Sequence, residues 1–88
     1  MKTFRLILSS PYGNIFDGNA QKLTLRGHDG DLAVLAEHVP MITEVRSGAV
    51  YVTLEDGTEK EAVTDKGLLA VSPDCVTVTS GKIEFEDE

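Results

Sequence analysis

Residues 32–45, LAVLAEHVPMITEV, decide the fold, because they hold the one apolar spacing in the chain that a helix could use. The stripe lasts no more than two turns before Pro40, which removes a backbone donor and crowds the preceding turn. With that helix broken, DLAVL reads as a short apolar strand. MITEV reads as an alternating strand, with Met41, Thr43 and Val45 on one side.

The same period of two runs outward in both directions. TFRLILS sets Phe4, Leu6 and Leu8 against Thr3, Arg5 and Ser9, and AQKLTLR sets Leu23 and Leu25 against Lys22, Thr24 and Arg26. Between them, NIF reads as a very short strand closed by a DGN turn. AVYVTL carries Val50, Val52 and Leu54 inward. TEKEAVT, with Val63 as its single large apolar residue, reads as an edge or exposed strand. LLAV, CVTVT and KIEF follow, separated by SPD and SG turns. The expectation is one all-β domain over residues 1–88, a ten-stranded β-sandwich or flattened barrel.

Composition narrows the function. The chain has 88 residues, 15 acidic against 8 basic, and a formal charge of −7. Such a surface repels nucleic acid and anionic lipid, so a partner should present a neutral or basic face. No apolar run is long enough to cross a bilayer as a helix, so direct membrane insertion is not expected. A single cysteine, Cys75, excludes an internal disulfide framework and points to a reducing compartment.

Catalytic chemistry is thinly supplied. His28, Asp29, Asp31 and His38 include the ligand types zinc takes, yet their spacing matches no known ligand pair. In GHDGD the acidic residues and Gly30 are what a tight exposed turn requires. Asp29 and Asp31 as a glycosidase pair would need a deep cleft, which so short a chain does not offer. Cys75 lies in an alternating run with no base nearby in sequence. Neither YGNIFDG nor DGTEK has phosphate-loop spacing. The aromatics Phe4, Tyr12, Phe16, Tyr51 and Phe85 lack the basic flanks of a base-stacking strand. No metal or other cofactor is expected.

Four pieces in register carry a resemblance: SPYGNIFDG, GHDGDLAVLAEHVPMIT, SGAV and GLLAVSPDCVTV. Over residues 4 to about 80 the chain resembles the epsilon subunit of rotary ATP synthases, called delta in mitochondria. The resemblance implies a ten-stranded β-sandwich in the central stalk of a proton-translocating ATP synthase. Such a domain has no active site. It grips the gamma shaft along one side, rests its end loops on the polar loops of the membrane-embedded c-ring, and passes ring rotation to the catalytic head. The complex sits peripherally on the cytoplasmic side of the energy-coupling membrane.

Residue by residue, the resemblance makes His28, Asp29, Gly30 and Asp31 the ring-facing loop, with the two carboxylates forming a negative tip for a basic or amide-rich surface. Ser10, His38 and Thr43 match positions against the gamma shaft, where Met41, with Val39 and Ile42, would supply the apolar part. Three departures touch loop detail: Glu37, His38, Val39 and Pro40 replace the usual Gly-His-Ala-Pro, Lys66 replaces the first of a glycine pair, and Ala33 stands where glycine is common. Most members continue into a helical hairpin that carries inhibition of ATP hydrolysis and, in some, ATP binding. This sequence stops after the last strand, as either a naturally short member or a truncated piece of a longer one would, and a short member is expected to have neither hairpin function. Two other readings stay open: a free-standing β-sandwich binding module, and a small metal-dependent enzyme built on the His and Asp residues above.

Overall fold

A computed structural model describes residues 2–37 and 39–86, and among these there is no helix. The strands are β1 (Phe4–Ser10), β2 (Gly13–Gly27), β3 (Gly30–Leu35), β4 (Met41–Val45), β5 (Gly48–Leu54), β6 (Glu59–Thr64), β7 (Gly67–Val71), β8 (Val76–Ser80) and β9 (Ile83–Phe85). Two layers result. In one, β1, β8, β7 and β4 lie side by side. In the other, β3, β2, β5, β6 and β9 do. The pairing of β1 with β8 is parallel, and all the others are antiparallel.

Alternation sets the core. Leu6, Leu8, Leu69, Val71, Val76 and Val78 turn inward from the first layer and meet Leu23, Leu25, Val34, Val50, Val52 and Ile83 from the second. Burying each such side chain contributes roughly 1.5–3 kcal/mol, which fixes the register because a one-residue slip would turn the whole row to solvent.

The expected all-β sandwich is present, and its strand count is nine among the described residues because two expected strands are one. β2 runs 15 residues straight through the DGN that reads as a turn. Its first half pairs with β1, and its second half pairs with both β3 and β5. Two bulges let one strand serve both layers: Ile15 is the extra residue against β1, and Gln21 the extra residue against β5. Gln21 turns the bulge to use by donating its side-chain amide to the Glu55 carbonyl at 2.9 Å. Within DGN, Asp17 stays in the ladder through a two-pronged pair with Arg5, at 3.0 and 2.8 Å. Gly18 lies under the Phe16 ring, which a Cβ there would approach to 3.2 Å.

β6 is exposed, as its lone valine suggests, but its second half is not an edge. Val63 faces solvent, Ala62 and Thr64 face inward, and β9 covers the strand's outer side. Ala62 is completely buried, so the small residue supplies the packing and the large one does not.

Candidate functional site

Ladder register places the expected contact residues at identifiable ends of the sandwich. Ser10 follows Ser9, which pairs with Thr79; Ser80 pairs with Gly67, Gly67 with Val45, and Val45 with Gly27. The start of the GHDGD turn and the β1–β2 turn therefore share one end of the molecule. Glu37, Val39 and Pro40 lie beyond the opposite ends of β3 and β4. His38 is outside the described residues.

At the first end, His28 and Asp29 form the two-residue turn between the paired Gly27 and Gly30. Neither has positive φ. The left-handed step falls on Gly30, at φ 127°, where a side chain would be strained. Asp29 is the tip itself, its side chain 98% exposed. His28 reaches back to β4, where its Nδ1 lies 3.3 Å from Glu44 Oε1, and its Nε2 is 3.9 Å from Asp29 Oδ1. Asp31 sits opposite Arg26 across the β2–β3 ladder. The result is a projecting turn with the carboxylates of Asp29 and Glu44 on either side of one imidazole, and Asp31 in register with Arg26 beside it. No three metal-ligating side chains converge there or elsewhere among the described residues.

Along the side runs β4. Because its residues alternate, Met41 packs against the core and Thr43 is half-buried, while Ile42 and Glu44 face out. Ile42 is 75% exposed, and its neighbours on the same surface are Ala70 and the half-exposed Leu68 of β7. Val39, just before the strand, is 73% exposed. This stretch is apolar and outward, unlike the acidic end turn, and it is where an interface would gain most from desolvation. The sequence reading named Met41 and Thr43 for this surface, with Val39 and Ile42 beside them. The ladder turns Ile42 and Leu68 outward and leaves Met41 and Thr43 partly buried. Leu68 was missed because LLAV reads as wholly buried when its register with β4 is unknown.

Ser10 has a local task. Its Oγ donates to the Gly13 carbonyl at 3.2 Å and accepts from the Tyr12 amide at 3.2 Å, closing the turn that holds Tyr12 almost fully in solvent. Cys75 is half-buried, with Sγ 3.5 Å from Thr77 Oγ1.

Comparison with known proteins agrees with this architecture. Residues 3–86 match the family described as ATP synthase, Delta/Epsilon chain, beta-sandwich domain. An ATP synthase epsilon chain of Polaromonas naphthalenivorans is 41% identical over 80 residues, covering 91% of this chain and 58% of that one. One from Delftia acidovorans is 36% identical with the same coverage. The chain thus spans somewhat over half the length of these relatives. Among solved structures, a chain of the Euglena gracilis mitochondrial ATP synthase superposes with TM-score 0.88 at 21% identity, over 94% of this chain and 53% of that one. A chain of the Tetrahymena thermophila mitochondrial ATP synthase central stalk and c-ring superposes with TM-score 0.74 at 13% identity, over 93% and 66%. With a family match that runs nearly end to end and relatives above 35% identity, this chain belongs to the ATP synthase delta/epsilon family and is its beta-sandwich domain.

Proposed function

We propose that the chain works as a non-catalytic part of the ATP synthase rotor, seated between the c-ring and the gamma shaft and peripheral to the membrane. The GHDGD turn, through His28, Asp29, Gly30 and Asp31, meets the polar loops of the ring. The β4–β7 face, through Ile42, Leu68 and Val39 with Thr43 on the same strand, lies on gamma, and Ser10 would reach gamma from β1, beyond β8 in the same layer. The observation that carries this reading is the division of chemistry on one body: a charged projecting turn at one end, and an exposed apolar strand face along the side. Charge at the tip sets orientation and encounter, and apolar area on the side supplies the holding energy.

Membership of a family named for ATP synthase chains supports the assignment, as does likeness to a chain of a solved central stalk. The role is mechanical. Torque passes through a closed ladder of hydrogen bonds whose core leaves no buried side-chain polar atom unpaired among the described residues. Reversing the charge of the tip with Asp29→Lys and Asp31→Lys tests the ring contact. The variant should fold unchanged and associate less with the c-ring, and undiminished association would remove the turn from that interface.

A further inference from the structure

A row of cations crosses the same end of the molecule, and no partner accounts for it. Gly27 pairs with Val45, and Val45 with Gly67, so the next positions in register are Arg26, Arg46 and Lys66, side by side across β2, β4 and β7. A backbone hydrogen bond from the Arg46 amide to the Arg26 carbonyl, 2.8 Å, locks the first two together. At the third, Ser80 Oγ lies within hydrogen-bond distance of the Asp65, Lys66 and Lys82 carbonyls, at 3.1, 3.2 and 2.9 Å, and holds the β6–β7 turn in place. All three cations are exposed.

Like charges placed directly across a ladder repel. In a chain with 15 carboxylates and 8 basic groups, three unpaired cations in one row are unexpected. Arg5 and Lys2 have carboxylate partners, and Lys60 lies over the Phe85 ring. Arg26, Arg46 and Lys66 form no ion pair among the described residues, although Asp31 is in register with Arg26. Glu44, the nearest acid on β4, is turned to His28. The cations line a groove of about 750 Å³ with Val45, Ser47, Gly67, Leu68 and one carboxylate, Glu44, whose Oε1 lies 3.3 Å from His28 Nδ1.

The geometry points to this groove as a binding site for a phosphate group, taken either from a free phosphorylated solute or from the headgroup of an anionic phospholipid. Two guanidinium forks and an ammonium match the oxygens of a phosphate, Ser47 adds a hydroxyl, and Leu68 offers an apolar wall to whatever the phosphate carries. The site shares Leu68 with the face proposed for gamma and would compete with that contact, but on the isolated chain its test requires only the register of β2, β4 and β7.

Two arms test it on the 88-residue chain. Inorganic pyrophosphate is titrated by calorimetry, and flotation is measured with phosphatidylglycerol vesicles against phosphatidylcholine vesicles. Arg46→Gln and Lys66→Gln are compared with Lys2→Gln, which makes the same charge change at the other end, and circular dichroism confirms that each variant folds. Saturable binding in either arm, weakened about tenfold by Arg46→Gln and unchanged by Lys2→Gln, is the expected result. The arm that responds identifies the source of the phosphate. Absence of binding in both arms, or equal loss from Lys2→Gln, overturns the site.

Discussion

Glu37 holds a conformation that suits glycine better. It is the one non-glycine residue among those described with positive φ, 69°. Its side chain pairs with Lys2 across the surface. Left-handed geometry costs an L-residue roughly 1–2 kcal/mol, and glycine returns about 0.5–1 kcal/mol of that through its freer unfolded chain. Glu37→Gly should raise stability by up to about 1 kcal/mol, read as a higher midpoint in thermal unfolding; a lower midpoint would make the Lys2 pair the larger effect. Gly67 is the opposite case. A Cβ there would sit 2.0 Å from the Thr79 carbonyl oxygen, so Gly67→Ala must force β7 from β8 and should cost about 3 kcal/mol in urea unfolding.

Two exposed carboxylates contribute to acid sensitivity. The hydrogen bonds from Arg5 hold Asp17 below its ordinary 3.8, and the backbone N–H of Thr58 does the same for Asp56. A carboxylate whose folded value is depressed contributes its stabilisation above the unfolded value and loses it as pH falls through the folded one. Stability should thus be flat through neutral pH and decline below about pH 4. Asp17→Asn should flatten part of that decline in a pH series of unfolding midpoints.

At the scale of elements, alternation made most strands legible: Leu6 and Leu8, Leu23 and Leu25, Val50 and Val52 all face inward as their period implies. The long β2 was not legible, because DGN carries turn composition and is held extended by its pairing with β1 and by the Arg5–Asp17 pair, neither of which is visible locally. The acidic turn could be read directly, since Gly30 and the two aspartates are local signals. The apolar side face could be read only in part. Which of Met41 and Ile42 faces out depends on β7, 25 or more residues away, as does the row of Arg26, Arg46 and Lys66. Ile42→Asp therefore separates packing from docking. At 75% exposure it should change unfolding free energy by no more than about 0.5 kcal/mol, yet it should markedly reduce capture of a gamma subunit.

The whole molecule is a small body that keeps its acidic end turn and its exposed β4–β7 face at fixed separation. A domain of this size buries only roughly 60–65% of its unfolded surface, so rigidity must come from a ladder that is nearly complete: β2 joins both layers, and β1, β8, β7 and β4 return to it through Gly27 and Val45. Two single-cysteine variants in a Cys75→Ala background, assembled into a complete ATP synthase and cross-linked, examine the rotor seat most directly. Asp31→Cys should join a c-ring subunit, and Ile42→Cys should join gamma. Cross-links from either position to a stationary subunit, or from both to the same neighbour, would contradict a body that bridges ring and shaft.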